Sequence, residues 1–319
     1  MPVQQEVETY RLDVHEVEPD APGMTYQENM LFSWYDLDKG VAGSASVRAE
    51  LNNSVTIWSG VASENGLRYR LNRAGVPNEP HNHTPERHGG GPIAFTGGDT
   101  FGFEHHDDDV DIALKLHEFY PPLEPWGDDQ IDQVQAAAGH LETSGRVTGT
   151  VRVGDETFEI DGLGYRDHSW AQANMALVRS HAWVAGTFGP DLSFSGIVYQ
   201  GIGGAYMRGA SIVRDGVKIL ADKVDIIIHQ ECDGISNRGG EMTLYLPNDE
   251  KITIVAEAFD GFVFEMGPMA IAESMCRARI KGTNRVGQCN FEGGPAHERT
   301  RAITDAFNAV AIDGISRRP

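Results

Sequence analysis

The sequence predicts an all-β, antiparallel protein, and three observations support this. Glycine is abundant, with 37 residues in a chain of 319, and glycine permits the tight turns that antiparallel strands need. Short strand-like segments recur at close spacing and are separated by turn signals such as Glu64-Asn65-Gly66. Helical periodicity is rare, and its best examples are residues 128–138 and 299–310. We therefore expect a β protein with few short helices.

Several hairpins can be placed in chain order. They join residues 46–51 to 55–61, 147–153 to 157–160, 210–213 to 217–220, and 242–246 to 251–259. Between the first two lies the segment 76–100, which is rich in Pro, Gly and His. Because these residues disfavour regular strands, we expect a long surface loop there.

Charge and cysteine content exclude several classes of protein. The chain has 26 Lys and Arg against 47 Asp and Glu, a net charge of −21, which argues against nucleic-acid binding. No apolar run approaches the ~18 residues of a membrane span, and the N-terminus lacks a signal-peptide pattern. Three cysteines without a Cys-x-x-Cys pair indicate neither a disulfide framework nor a zinc ribbon. We expect a cytoplasmic protein without membrane insertion, with homo-oligomerisation left open.

The most informative segment is residues 162–170, Gly-Leu-Gly-Tyr-Arg-Asp-His-Ser-Trp. In a strand, alternate side chains point to opposite faces. Asp167 and Ser169 should therefore share one face, and Arg166, His168 and Trp170 the other. Such polar density is costly in a core unless every group is hydrogen-bonded, so the motif indicates either a reactive site or a structural lock.

This motif resembles the signature of the lipocalin-like superfamily of carotenoid 1,2-hydratase (hydroxyneurosporene synthase) and tocopherol cyclase-like bacterial proteins. Residues 28–36 and 140–151 are similar to the segments that accompany it. The resemblance implies two consecutive lipocalin-like antiparallel β-barrels, which we place at 1–170 and 171–319. It also implies an apolar pocket near their junction and chemistry on hydrophobic alkenes, with His168 and Trp170 in the site.

Candidate roles follow from the residue types. We expect His168 and Asp167 to transfer protons, and Tyr165 and Arg166 to orient them. Aromatic side chains could contact an apolar substrate, and the candidates are Trp170, Trp183, Tyr199 and Tyr245. The last strands carry charges that we expect to point outward, namely Glu273, Arg277, Arg279 and Glu292.

The sequence predicts an acid–base enzyme acting on an isoprenoid or aromatic small molecule. Hydration or dehydration of a double bond is the leading reaction, and isomerisation or cyclisation comes next. No phosphate-binding glycine loop is present, so no organic cofactor is expected. One alternative is a carrier of an apolar ligand without chemistry. Another is a metal-dependent lyase or oxygenase that uses loop histidines, with His81, His83 and His88 as ligands.

Overall fold

A computed structural model shows an antiparallel β protein, as the sequence predicts. It describes residues 10–16, 25–50, 53–127, 135–173, 178–201, 204, 206–266, 269–295, 310 and 312–318. These residues contain 21 strands and two short 3-10 turns, and no α-helix occurs among them. The strands form two curled sheets, each a half-barrel, consistent with two lipocalin-like barrels.

The first sheet has twelve strands within the described part of the chain. They are β1 (Thr25–Asp36), β2 (Val41–Glu50), β3 (Ser54–Ser63), β4 (Leu67–Pro77), β5 (His83–Thr84), β6 (Arg87–Gly90), β7 (Ile93–Thr96), β8 (Phe101–His106), β9 (Val110–Glu118), β10 (Gln135–Val153), β11 (Glu156–Ala173) and, from the C-terminal end, β21 (Gly314–Arg317). Their spatial order is β21-β4-β3-β2-β1-β11-β10-β9-β8-β7-β6-β5.

The second sheet has nine described strands. They are β12 (Val178–Thr187), β13 (Leu192–Gly201), β14 (Tyr206–Arg214), β15 (Val217–Leu220), β16 (Lys223–Gln230), β17 (Asn237–Tyr245), β18 (Lys251–Met266), β19 (Met269–Ile280) and β20 (Val286–Pro295). Their order is β15-β14-β13-β12-β20-β19-β18-β17-β16. The first sheet also contains β21, so the boundary that we predict at residue 170 remains a prediction.

The burial pattern explains how the sheets pack. Strand β9 alternates between buried apolar and exposed polar residues, as expected when one face meets water. Strands β2 and β3 are buried on nearly every residue, because one face lines the first half-barrel and the other meets the second sheet. At that junction Trp58 stacks on Phe264 with ring centroids 4.0 Å apart, and Arg68 binds both carboxylate oxygens of Asp260 at 2.8 Å.

Two predictions about local structure need correction. The segment 76–100 is not a surface loop, because it contains β5, β6 and β7, and Ile93 and Phe95 are fully buried in the first core. The apolar triplet Ile93-Ala94-Phe95 forms a buried strand although glycines and prolines surround it in the sequence. Of the two predicted helices, residues 135–138 begin β10, while 128–134 and 299–309 lie outside the described residues.

The predicted hairpins are confirmed as antiparallel pairs, although their strands are longer than expected. In the described part of the chain, no helix has the length and apolar character required to cross a bilayer.

Candidate functional site

The motif 162–170 lies within β11, between β1 and β10. Its side chains alternate as predicted. Asp167 and Ser169 face the junction with the second sheet, where they line a cavity. His168 points the other way, where it contacts Glu28, which is completely buried. Asp167 and His168, which we predict to transfer protons, therefore do not contact each other, and of the two only Asp167 lines this cavity.

The junction cavity has a volume of about 90 Å³ and receives side chains from both sheets. The first sheet contributes Gln27, Asn29, Leu31, His140, Asp167 and Ser169, and the second contributes His181, Trp183, Ile197, Tyr199 and Glu292. The position agrees with the pocket that the resemblance implies. The wall, however, is mixed rather than apolar, since imidazole and carboxyl groups lie beside aromatic and aliphatic ones.

Asp167 has His140 of β10 as its partner. The His140 Nε2 contacts an Asp167 carboxylate oxygen and lies 3.0 Å from Glu142 Oε1. Burial alone would lower the pKa of His140, but its two carboxylate neighbours outweigh this and raise the pKa to about 10. His140 is therefore an imidazolium at neutral pH, and Asp167 and Glu142 compensate its charge.

Glu142 also fixes the orientation of the aromatic wall. It accepts hydrogen bonds from the Tyr165 hydroxyl and, at 3.1 Å, from Trp183 Nε1. The exposed fraction of Glu142 is 1%, so its oxygens contact these protein donors rather than bulk solvent. Three neighbours from three strands thus hold Glu142, and Glu142 in turn orients the Trp183 ring.

A second pair of carboxyl groups lies opposite, on the second sheet. Glu273 of β19 and Glu292 of β20 are direct cross-strand neighbours. Burial raises the pKa of Glu292 from 4.5 to about 7, and burial also raises the pKa of Glu273 well above its ordinary value. Glu292 contacts His181 Nε2, whose pKa is lowered by burial to about 4. Because the pKa of Glu292 is about 7, this carboxyl group can donate and regain a proton close to neutral pH, as a general acid must.

The opposite face of β11 lines the first half-barrel, where histidines from neighbouring segments gather around His168 and Glu28. His168 Nε2 lies 2.8 Å from Glu28 Oε1, and His15 Nδ1 lies 3.0 Å from the same oxygen. His83 Nε2 is 3.5 Å from the second Glu28 oxygen, and His83 Nδ1 is 3.2 Å from His88 Nδ1. Of the predicted metal ligands, His83 and His88 belong to this cluster, whereas His81 is exposed at the surface.

Two further motif residues lie on this same face. The Trp170 ring stacks on His15, with centroids 3.8 Å apart. Arg166 donates to Glu118 Oε1 at 2.9 Å and packs 4.9 Å from the Phe101 ring centroid. These two side chains are therefore part of the half-barrel interior and do not line the junction cavity.

Comparison with known proteins gives the family. The sequence profile described as Domain of unknown function (DUF7064) matches residues 13–295, which is most of the chain. The chain belongs to the DUF7064 family. Among curated proteins, none matches the sequence significantly.

Solved structures show the same fold as this DUF7064 chain. An AttH-type protein from Nitrosomonas europaea superposes with a TM-score of 0.65 at 9% identity, covering 86% of this chain and 93% of that one. CghA with Sch210972 gives 0.61 at 14% identity, covering 90% and 96%. Kievitone hydratase from Nectria haematococca gives 0.55 at 10% identity, covering 89% and 93%. These likenesses establish the fold alone, and the narrower resemblance to carotenoid hydratase stays a prediction.

The structure places the predicted site residues of the DUF7064 chain in three groups. Asp167, Trp183 and Tyr199 line the junction cavity. The Tyr165 hydroxyl donates to Glu142, which in turn contacts two residues of the cavity wall, His140 and Trp183. The second group, His168, Arg166 and Trp170, lies on the other face of β11. Tyr245 lies in neither place, because its ring packs against the ammonium groups of Lys223 and Lys251 at 4.8 and 5.2 Å.

Several ionisable residues at the junction were not predicted as site residues from the sequence. Glu273 and Glu292 were expected to point outward, yet their exposed fractions are 0% and 8%. The expectation is wrong because both faces of these strands are covered, one by the half-barrel core and the other by the first sheet. His140 and Glu142 did carry a signal: their spacing of two places both on one face of β10.

Proposed function

We propose that the junction cavity binds the reacting group of a hydrophobic small molecule and performs acid–base chemistry on it. Addition or loss of water at a double bond is the reaction that the cavity supports best. The observation that carries this proposal is one cavity lined by both Glu292, a carboxyl group whose pKa burial raises to about 7, and Asp167, a carboxyl group in contact with His140. An acid and a base held in different protonation states are what proton addition and removal require.

The proposed hydration runs in two proton transfers. Glu292 donates its proton to one alkene carbon, the π bond breaks, and the other carbon becomes a carbocation. The face of the Trp183 indole, oriented by Glu142, stabilises that cation. Water then forms a bond to the cation and releases a proton to Asp167, and exchange with solvent restores both carboxyl groups. Dehydration is the reverse, while isomerisation or ring closure shares the first step.

The cavity size limits what enters. A volume of about 90 Å³ is well below the roughly 300–1,000 Å³ of ordinary ligand pockets, so it accepts a reacting group rather than a whole isoprenoid. Leu31 and Ile197 supply apolar contacts beside the ionisable groups. The names of two structures with this fold, kievitone hydratase and CghA with Sch210972, agree with a site for small molecules.

A carrier without chemistry is the second candidate, and a different cavity favours it. A space of about 310 Å³ lies among strands of the second sheet, and its wall combines apolar side chains such as Val198 and Ile228 with uncharged polar ones such as Gln200 and Asn237. No carboxyl group is among the described residues that line it. An apolar ligand held there would meet few groups able to transfer a proton.

A single probe, 2-prenylphenol, distinguishes these functions because it combines an aromatic ring with one isoprene double bond. Hydration gives a product heavier by one water molecule, and ring closure gives an isomer of the same mass. We expect the wild-type chain to form one of them, and Glu292→Gln and Asp167→Asn to form neither. Glu159→Gln, an exposed glutamate of β11, is the matched control. Binding of unchanged probe, equal in all four proteins, would instead support the carrier.

A further inference from the structure

The histidine-rich face of β11 contains donor atoms arranged around one buried carboxylate. His15 Nδ1, a Glu28 carboxylate oxygen and His168 Nε2 all lie within 4.8 Å of one another. His83 Nε2 approaches the second Glu28 oxygen at 3.5 Å. Glu28 and His168 have exposed fractions of 0%, so water reaches neither group. Three donor atoms from distant parts of the sequence thus converge on one point, and His83 lies beside the second Glu28 oxygen.

Counting hydrogen-bond protons shows that two neutral imidazoles, His83 and His88, cannot satisfy every contact in this cluster. A neutral imidazole carries one N–H, and when His88 Nε2 donates to the Val47 carbonyl oxygen, 3.3 Å away, His88 Nδ1 is left as an acceptor. His88 Nδ1 then accepts the proton of His83 Nδ1 at 3.2 Å. This leaves His83 Nε2 with a lone pair, which faces the His15 carbonyl oxygen at 3.0 Å and the Glu28 carboxylate. A lone pair directed at two acceptors is repulsive, and either a second proton on His83 or a metal ion at Nε2 removes that repulsion.

We propose that this cluster is a binding site for a divalent transition metal of the Zn²⁺ type. Its ligands are His15 Nδ1, the Glu28 carboxylate, His168 Nε2 and His83 Nε2. Three imidazoles with one carboxylate suit Zn²⁺ and its neighbours better than Ca²⁺ or Mg²⁺, which prefer oxygen ligands alone. In a tetrahedral zinc site the ligand atoms are about 3.3 Å apart, and the three imidazole nitrogens already lie between 2.8 and 3.5 Å from a Glu28 oxygen.

The site would join four separate parts of the chain. His15 belongs to the N-terminal segment, Glu28 to β1, His83 to β5 and His168 to β11. Trp170 stacks on His15 and acts as a positioning residue for that ligand. The motif residues His168 and Trp170 thus acquire a role that the junction cavity does not give them.

One feature limits the expected affinity. His168 Nδ1 is buried and has no hydrogen-bond partner among the described residues. Metal-bound imidazoles usually donate that second N–H to an acceptor, and loss of the acceptor lowers affinity by about 10- to 100-fold. We therefore expect a reversible site that a chelator empties, rather than one that retains its metal through purification.

The test uses the full chain without a histidine tag, stripped with a chelator and titrated with Zn²⁺ alone. We expect one Zn²⁺ per chain by elemental analysis and a rise in Tm of about 5 °C at saturation. Co²⁺ in its place should give the visible absorption of a tetrahedral site. His15→Ala should abolish both signals, and because a third of the His15 side chain is exposed, this variant should still fold. Glu28→Gln should do the same, with near-ultraviolet circular dichroism as the check on folding.

His81→Ala is the matched control, since it removes an exposed histidine from the same region and should bind Zn²⁺ like the wild type. Asp167→Asn tests the rival cluster of His140, Glu142 and Asp167, and should also leave Zn²⁺ binding intact. The proposal fails if the wild type binds no Zn²⁺. It fails equally if folded His15→Ala and Glu28→Gln still bind one Zn²⁺ per chain, or if Asp167→Asn abolishes binding.

Discussion

On the junction face of β11, four carboxyl groups surround two imidazoles, whereas on the half-barrel face four imidazoles surround one carboxylate. The junction group is Glu142, Asp167, Glu273 and Glu292 with His140 and His181, and the half-barrel group is His15, His83, His88 and His168 with Glu28. Where buried carboxyl groups are in excess, some of them must keep a proton. Where imidazoles are in excess, lone pairs remain for a cation.

The difference shows how one strand can serve two chemistries. Successive residues of β11, Asp167 and His168, belong to different groups because the sheet separates them. A change on one face should therefore affect proton transfer, and a change on the other should affect metal binding. The following variants test whether the faces are independent.

The largest effect should come from Glu292→Gln on the junction face. Removal of a general acid typically costs 10²- to 10⁴-fold in rate, and we expect a loss in that range with 2-prenylphenol. The wild-type rate should fall as the pH rises through about 7, because Glu292 then loses its proton. Burial raises this pKa most, the hydrogen bond with Glu273 lowers it, and the nearby charge of Asp167 raises it further, while His181 contacts the same carboxyl group. Rates measured from pH 5 to 9 should show this decline in the wild type and not in the variant.

A second expected effect concerns the free energy of unfolding. Glu142→Ala should lower it by about 3–5 kcal/mol, because Tyr165 and Trp183 lose their buried acceptor and His140 loses one of its two carboxylates. Glu159→Ala, at an exposed position of β11, should change it by less than about 0.5 kcal/mol. Urea denaturation of both variants measures the difference. A small loss in Glu142→Ala would mean that the remaining carboxyl groups replace it, which the contacts do not predict.

The pH dependence of stability should separate the two ionisable pairs within the junction group. A carboxyl group whose pKa is raised in the folded state stabilises it fully below its unfolded pKa, and this contribution is lost as pH rises through the folded value. For Glu292 the window runs from 4.5 to about 7, which corresponds to about 3 kcal/mol. His140 acts in the same direction between 6.5 and about 10. The double variant Glu273→Gln, Glu292→Gln should flatten the lower window and leave the upper one.

Part of this arrangement could be predicted from the sequence. The two-residue turn after Val153 fixes the register of β10 against β11, and that register places Glu142 opposite Asp167 and His140 opposite Ser169. The sequence also predicted which side chains of residues 166–170 point to each face of the sheet. Glu292 could not be assigned, because its approach to Asp167 depends on the packing of two sheets and not on a local pattern. Glu28 and His15 were missed for the same reason, since nothing in their own segments indicates a neighbouring His168.

The smallest expected effect compares two tyrosines of the second sheet. Tyr199 lines the junction cavity, whereas Tyr245 packs between two lysines away from it. Tyr199→Phe removes a hydroxyl group from the cavity wall, worth about 1 kcal/mol, so KM for 2-prenylphenol should rise roughly fivefold. Tyr245→Phe should leave KM unchanged, and steady-state kinetics on both variants measure this. An equal rise in both would show that the substrate occupies the second sheet well beyond the junction, and the difference between the two faces of β11 would then not define the site.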